Sequence, residues 1–328
     1  MFTTILVPLD GSSRAETALP IAARIAHHTG ATLVLVRVVA FVSEYWPAVM
    51  TTTPILEDAV MEEDLSEATT YLERVASSPE LADLRVQTTV LNGPIAPTIL
   101  EATTASKSDL IVLCSHGSTG MIRWVMGSVA EKIVRYASVP VLVLHEGATH
   151  PGSSPADIAQ PLRLLVPLDG SIASNAALEP GADLLTALAA PGQKVALHLA
   201  HVLQPSHVKG VNSPSALSDS SKFSQAKQSL SQTVTLIQQG LIAPNIAQQH
   251  IPVTWSVILD TDIASALLHV AEQREETEGA GVFGGCELLA ISTRGQTGVQ
   301  HWVMGSITER MLAATKRPIL IVHPKEEI

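Results

Sequence analysis

One motif occurs twice in this chain and constrains its architecture more than any other feature. The apolar run 109–113 stops at a loop containing Gly117 and Gly120, and Gly127-Ser128 then open a segment with helical spacing. The second copy spans 290–306, with its Gly-Ser pair 178 positions after the first. A short buried strand, a glycine loop and a helix N-terminus together direct backbone N–H groups at an anion. The duplication therefore predicts two copies of one anion-binding unit.

The remaining elements repeat in the same order. Leu164–Ser171 matches Ile5–Ser12 at an offset of 159, and this offset grows to 178 only between elements, so the second half carries loop insertions. A length of 328 residues also favours two domains over one. The segment 146–161 is rich in Gly, Ser, Pro and Ala and is typical of an exposed linker. We predict a first domain at 1–147, a linker at 148–161 and a second domain at 162–328.

Strands and helices alternate along each half. Apolar strands are predicted from Ile5 to the Asp10-Gly11 turn and at 32–39, 86–91, 109–113 and 139–144. Helices are predicted at 18–30, 55–76, 97–105 and from Gly127, with a loop at 41–54. In the second half we predict a polar loop at 204–220, a helix at 221–239 and a solvated excursion at 274–285. This alternation predicts an α/β fold, with two tandem doubly wound domains, each a five-stranded parallel sheet covered by helices, as in Rossmann-like proteins.

Composition excludes several classes of protein. The net charge of −11 argues against a nucleic-acid partner, which would need clustered Lys and Arg. No apolar run approaches the length of a membrane span, and the N-terminus lacks the charged start of a signal peptide. The two cysteines, Cys114 and Cys286, suggest no disulfide framework. We therefore expect a cytoplasmic protein without a membrane partner.

The residues that end the first and fourth strands are the candidate site. They are Asp10 and Cys114 in the first half, and Asp169 and Ser292 in the second. In an open parallel sheet, ligands lie beyond the carboxyl ends of the strands, where the strand order reverses. If those two strands are neighbours, a carboxylate and a glycine loop face one crevice. Such a carboxylate suits a ribose hydroxyl or a bridging Mg²⁺.

At these motifs the chain resembles the tandem universal stress proteins, and the resemblance spans both halves almost completely. ATP-binding members of that family carry Gly-x2-Gly-x9-Gly-[Ser/Thr] and an Asp at the end of the first strand. The last two glycines and the hydroxyl residue are present in both halves, whereas Cys114 and Ser292 replace the first glycine. The resemblance implies an adenine nucleotide α-hydrolase-like fold and a non-enzymatic stress-response or signalling module that binds ATP, with Mg²⁺.

The site implied by the resemblance comprises eight residues of the first half and nine of the second. They are Pro8, Asp10, Val38, Cys114, Gly117, Gly127, Ser128 and Val129, and Pro167, Asp169, Val202, Ser292, Arg294, Gly295, Gly305, Ser306 and Ile307. The aspartates would contact adenosine, Val38 and Val202 would line the adenine pocket, and Val129 and Ile307 would offer N–H groups to phosphate. Last strands pair across a two-fold axis in dimers of the family, which implies an intrachain pseudo-dimer and also allows a homodimer.

Structural alternatives stand beside these roles. Ser128 and Ser306 each precede a Glu by three residues, so they also fit capping boxes. Asp10 and Asp169 stand in Asp-Gly pairs and also fit turns. The functional alternatives are a slow ATP hydrolase, which the lack of a Gly-Lys-[Ser/Thr] lysine disfavours, and a nucleotide-independent assembly protein. Because Ser292 and Arg294 can hydrogen-bond phosphate better than Cys114 and His116, we expect the second site to bind more tightly.

Overall fold

The computed structural model describes residues 1–40, 54–115, 126–145, 158–205, 214–272, 274–277, 281–293 and 304–324. They form two compact units, Met1–Gly147 and Ala148–Ile328. The strands of the first unit are β1 Thr4–Pro8, β2 Thr32–Val39, β3 Arg85–Asn92, β4 Leu110–Cys114 and β5 Val141–Leu144. Its described helices are α1 Ser13–Glu16, α2 Leu19–Thr29, α3 Pro54–Ala76, α4 Ile95–Ala105 and α5 Ser128–Tyr136.

The second unit repeats this series with additions. Its strands are β6 Leu162–Pro167, β7 Val195–Leu203, β8 Val253–Leu259, β9 Arg274–Thr277, β10 Gly281–Gly284, β11 Leu288–Ser292 and β12 Ile319–Val322. Its described helices are α6 Leu178–Leu188, α7 Pro214–Gln238, α8 Pro244–Gln248, α9 Ile263–Glu272 and α10 Ser306–Ala314. Short 3-10 turns cover Pro79–Leu81 in the first unit and Ala173–Ala177 in the second. None of the described helices combines the length and the apolar character that crossing a membrane requires.

Each unit contains a five-stranded parallel sheet, as predicted. The strand order is β3-β2-β1-β4-β5 in the first unit and β12-β11-β6-β7-β8 in the second. Every residue of β4 and β5 is buried, which explains why these strands are continuous apolar runs without alternation. In both units the chain order reverses beside the first strand, where β1 neighbours β4 and β6 neighbours β11. These switch points are where an open sheet binds ligands.

An acidic side chain fixes each of these two central strand pairs at its amino end. Asp109 accepts hydrogen bonds from the backbone N–H of Thr3 at 2.8 Å and of Thr4 at 3.1 Å, and from the Thr3 hydroxyl at 2.7 Å. Glu287 accepts from the backbone N–H of Arg163 at 2.8 Å, and burial raises the pKa of this carboxyl group. The carboxylates thus hold the first and fourth strands side by side, with their carboxyl ends at the same edge.

Several boundaries differ from the sequence predictions. The helix predicted at 221–239 begins at Pro214, because proline suits the first turn of a helix, where its missing N–H is not needed. The excursion predicted at 274–285 contains the antiparallel pair β9 and β10. The fifth strand begins at Val141, since Pro140 has no N–H to contribute to the ladder. Helix α8 was not predicted, and the loop at 41–53 and the segment 146–157 lie outside the described residues.

Candidate functional site

A cavity of about 270 Å³ lies at the switch point of the first unit. It is bounded by the carboxyl ends of β1, β2 and β4 and by the first turns of α4 and α5. Most of its walls are aliphatic, with Asp10, Ser115 and Ser128 as polar groups. An apolar chamber with a few polar groups at one end is the usual form of a small-molecule site. Seven residues predicted from the sequence line this cavity, namely Pro8, Asp10, Val38, Cys114, Gly127, Ser128 and Val129.

Gly127 joins the end of β4 to the start of α5. Its N–H donates to the Ser115 carbonyl at 2.9 Å, and it is the residue that precedes the first helical position. Its φ of −59° is open to any residue, but a Cβ atom here would lie 3.3 Å from the Ser115 oxygen. A side chain at 127 would therefore crowd a neighbouring backbone segment, whereas the dihedral angle itself suits any residue. The contact brings Gly127 back to the carboxyl end of β4.

The first turn of α5 supplies the N–H groups that can face an anion. The first hydrogen bond within the helix runs from the Glu131 N–H to the Gly127 carbonyl at 2.9 Å. The N–H groups of Ser128, Val129 and Ala130 precede it and have no acceptor inside the helix. The same three residues line the cavity, so the positive end of the helix dipole lies at its edge. This geometry fits a phosphate or another oxyanion.

The capping alternative for the two serines is wrong. Gly127 and Gly305 occupy the cap positions of α5 and α10, and no side chain caps either helix. Ser128 is the first residue of α5 and is exposed, while Glu131 pairs with Arg135 at 3.0 Å and not with the cap backbone. The Ser128 hydroxyl is thus not used to start the helix.

The turn-forming role of the aspartates is confirmed. One carboxylate oxygen of Asp10 accepts from the Ser12 N–H at 2.9 Å and from its hydroxyl at 2.6 Å. Asp169 makes the same two bonds with Ser171, at 2.9 and 2.6 Å. The glycine between the aspartate and the serine is Gly11 in the first half, with a φ of +87°, and Gly170 in the second, with a φ of +82°. Both are left-handed values that favour glycine. Since Asp10 also lines the cavity, the turn holds its carboxylate at the site.

A cluster behind the Asp10 turn was missed by the sequence analysis. The Arg37 guanidinium stacks on the Tyr71 ring at 5.0 Å, and Arg74 lies over the same ring at 5.2 Å. Arg74 also pairs with Glu16 at 3.2 Å. A Cβ atom on Gly11 would be 3.0 Å from the Arg37 side chain. Burial, and then the charge of Glu16, raise the pKa of Tyr71. The cluster packs the turn against α3, and no local sequence motif links these residues.

The second unit repeats the backbone arrangement. Gly305 precedes α10, and a Cβ atom on it would lie 3.4 Å from the Thr293 carbonyl oxygen. The Thr293 hydroxyl shares a hydrogen bond of 3.0 Å with His323. Ser292 ends β11 and is buried, and Pro167 and Val202 lie at the carboxyl ends of β6 and β7. The predicted residues of this half that the structure describes therefore also lie at one edge of the sheet.

The two sites differ in their nearby charges. His201 stands where the first half has Arg37, and burial lowers the pKa of His201 while the Asp169 carboxylate opposes that shift. Asp262, just before α9, pairs with Arg310 of α10 at 2.5 Å, and this hydrogen bond lowers the pKa of Asp262. The equivalent positions in the first half are Pro94 and Lys132, which form no such pair.

Three predicted site residues, Gly117, Arg294 and Gly295, lie outside the described residues. Other cavity-lining residues were not predicted. Ile95 and Ile99 of α4 and Val36 of β2 form its apolar wall. Their only signal in the sequence is helical or strand spacing, which every core residue shares. Ser115 was missed because its role is to accept a hydrogen bond from the Gly127 N–H, and that contact forms only once the chain has folded back to the end of β4.

Comparisons with known proteins identify the family and agree with the fold. A model of the universal stress protein family matches residues 1–145 and 162–323. A universal stress protein of Mycolicibacterium smegmatis is 30% identical over 181 residues, which are 55% of this chain and 58% of that protein. One from Mycobacterium tuberculosis is 26% identical over 326 residues, 97% of this chain and 96% of that protein. The crystal structure of a universal stress protein from Archaeoglobus fulgidus, 17% identical, has a TM-score of 0.59 and covers 98% of this chain and 96% of its own, which supports the fold.

Proposed function

Because the chain belongs to the universal stress protein family, with one match in each half, we propose that it is an ATP-binding stress-response module. In this proposal each half holds one nucleotide, and occupancy changes how the protein engages its partners. Turnover is slow or absent. The intrachain pairing of the last strands, the option of a homodimer and a cytoplasmic location belong to the same proposal and rest on the sequence.

The observation that carries the proposal is the first-unit cavity with α5 at its edge. Its aliphatic walls suit a purine ring, and Asp10 stands where a ribose hydroxyl can donate to a carboxylate. The N–H groups of Ser128, Val129 and Ala130, which have no acceptor inside α5, belong to residues that line the same cavity and suit phosphate. A ligand with an apolar ring, hydroxyl groups and an anionic end matches all three features, and an adenine nucleotide has this composition.

Mg²⁺ enters the proposal through the phosphates. Within the described residues no three His, Cys, Asp or Glu side chains form a metal-binding group. Mg²⁺ commonly takes one or two carboxylates, several waters and the oxygens of a bound phosphate chain. Asp10 is the carboxylate that the described part of the cavity offers. Mg²⁺ bound there would neutralise phosphate charge, and the protein would position the nucleotide.

We expect little hydrolysis of ATP. Phosphoryl transfer needs cationic groups around the transferred phosphate, and no Lys, Arg or His is among the described residues that line the cavity. Release of inorganic phosphate from ATP and Mg²⁺ should therefore stay below about 10⁻³ s⁻¹ per site, the order of an unassisted GTPase. Turnover of several per second that copurifies with the chain and is lost in Gly127→Val would contradict this and identify a hydrolase.

Cys114 allows a direct test of occupancy in the first half. Cys114 is 9% exposed and lines the cavity, whereas Cys286 is 1% exposed, lies outside the cavity lining, and has a thiol whose pKa burial raises to about 12. We expect iodoacetamide to label Cys114 in the native chain, and ATP at ten times its Kd to slow this labelling about tenfold by occupying the cavity. Peptide mass spectrometry measures both thiols in one experiment.

The control for this labelling is Cys114→Ser, which should leave the native chain without a reactive thiol until denaturant exposes Cys286. GTP at the same concentration separates adenine recognition from a general effect of nucleotide. If Cys114 is labelled at the same rate with and without saturating ATP, the cavity is not the nucleotide site and the proposed function loses its main support.

A further inference from the structure

The second unit has a buried polar cluster between β7 and β8 that the proposed function does not use. It consists of His198, Thr254 and Ser256 and is called the His198 cluster below. The imidazole is 0% exposed, with Nδ1 2.7 Å from the Thr254 hydroxyl and Nε2 2.9 Å from the Ser256 hydroxyl. The equivalent of His198 in the first unit is Val34, which cannot titrate. The cluster is therefore a difference between the two halves.

The His198 cluster fastens the edge of the sheet. His198 pairs with Thr254, and Ala200 pairs with Ser256, in the parallel register of β7 and β8. One imidazole thus bonds two successive side chains on the same face of β8. Among the described strands, β8 is the last of its unit's sheet and pairs with β7 alone. A strand with one neighbour depends strongly on the side chains that cross to that neighbour, so loss of the cluster should loosen β8 first.

Burial keeps this imidazole neutral in the folded unit. His198 shares one face of β7 with Ala200 and Val202, because successive residues of a strand alternate between faces. Their first-unit equivalents, Val36 and Val38, line the cavity against α4, so the corresponding helix α9 covers His198. The buried residues of α9 are all apolar. Burial in these surroundings lowers the pKa of His198 to about 3.

The elements packed around His198 carry titratable and charged groups of their own. Strand β8 has none, since Val253–Leu259 contains no charged residue. The groups on the other elements are Arg163 at the amino end of β6 with its neighbour Glu287, Asp262 just before α9, the exposed His269 and Glu272 of α9, and His201 on the opposite face of β7. Asp262 is already paired with Arg310.

We propose that the His198 cluster is an acid-sensitive fastening, and that acid releases the edge strand β8 from β7 while the central strands of the unit stay paired. The released imidazole takes up a proton that the buried one does not, so a falling pH favours release. The cluster holds β8 fully above pH ~6.5 and loses its hold progressively as the pH falls toward ~3. The first unit has Val34 at this position, so its edge strand β3 should hold equally across this range. The inference concerns the fold of the second unit and does not depend on the proposed function.

Hydrogen exchange of the full chain, followed by mass spectrometry at pH 7.5 and pH 5.0, tests this release. Each rate is divided by the rate of the unfolded peptide at the same pH, which gives a protection factor. Protection of β8 should fall about 30-fold between the two pH values, the effect of a pKa that moves from about 3 to about 6.5 on opening. Protection of β3, the matched edge strand, should change by less than about threefold. At both pH values β8 should be at least about tenfold less protected than β11 in the centre of its sheet.

Two variants assign the effect to His198. His198→Gln keeps hydrogen-bonding groups and does not titrate, so protection of β8 should no longer depend on pH. His198→Val copies the first unit and should also lose the pH dependence, with lower protection at pH 7.5 because two hydroxyl groups lose their partner. If neither variant folds, the comparison of β8 with β3 in the wild type still decides. Equal pH dependence of β8 and β3, or of β8 in the wild type and His198→Gln, would overturn the inference. Equal protection of β8 and β11 would overturn it as well, since the unit would then open as a whole.

Discussion

Gly127→Val should abolish nucleotide binding in the first half, and Gly305→Val should do so in the second. A Cβ atom added to Gly127 would lie 3.3 Å from the Ser115 carbonyl oxygen, and valine carries two further methyl groups on that Cβ atom. These groups would separate the Gly127 N–H from Ser115 and shift the first turn of α5, where the N–H groups that face phosphate begin. Losing two or more charge-assisted bonds corresponds to an affinity loss of about 100-fold or more. Calorimetric titration of ATP into each single variant and the double variant measures this loss.

Gly305→Ala is the matched control. Its Cβ atom would lie 3.4 Å from the Thr293 oxygen, an ordinary contact, and the Gly305 φ of −64° is open to alanine. We expect Gly305→Ala to keep most of its affinity while Gly305→Val loses it. Far-UV circular dichroism and the urea midpoint confirm that each variant is folded. A folded double variant that binds ATP as tightly as the wild type would show that the glycine-led helices are not the site.

The second unit should lose stability in acid because of His198. This side chain is fully buried, with Nδ1 2.7 Å from the Thr254 hydroxyl and Nε2 2.9 Å from the Ser256 hydroxyl. Burial lowers the pKa of His198 to about 3. The unfolded chain, with a His pKa of about 6.5, takes up the proton first. The contribution to stability is therefore complete above pH ~6.5 and is lost as the pH falls toward ~3. At pH ~4.5 the loss is roughly 2–3 kcal/mol of unfolding free energy.

His198→Val provides the comparison, because Val34 occupies the equivalent position in the first half. The variant leaves Thr254 and Ser256 without their partner and should be less stable than the wild type near neutral pH by about 1–3 kcal/mol. That difference should shrink or reverse between pH 7.5 and 4.5 in urea unfolding, since the variant has no imidazole to protonate. Trp255 lies in β8 between the two hydroxyl residues and contributes fluorescence from this region. If wild type and variant lose the same free energy in acid, His198 is not responsible.

The sequence predicted the fold where spacing and burial agree. Strand β2 was placed at its observed bounds, Thr32–Val39, because a strand covered on both faces is a continuous apolar run. The Gly30 boundary of α2 was also predicted, since its φ of 71° is one that glycine tolerates. The start of α7 at Pro214 was missed because its first turns are rich in Ser and Asp, which are equally common in loops. Local composition therefore does not distinguish the first turns of this helix from a loop.

The candidate site was predicted as a set of motifs but not as a set of contacts. Asp10 and Gly127 are recognisable because their neighbours repeat in the second half. The hydrogen bond from the Gly127 N–H to Ser115 depends on how the chain returns to the end of β4, which no local pattern encodes. His198 and Ser256 meet because β7 and β8 pair in one register, and a shift of one residue would separate them. Long-range register is what the sequence alone did not supply.

The most direct test of the central claim is to denature the purified chain and identify any small molecule it releases. The wild-type protein should release an adenine nucleotide, detected by its absorbance near 260 nm and its mass, or should bind added ATP with Mg²⁺ if purification has removed it. The Gly127→Val, Gly305→Val double variant, prepared in parallel, should do neither. A folded wild-type chain that releases no nucleotide and does not bind ATP would contradict the account.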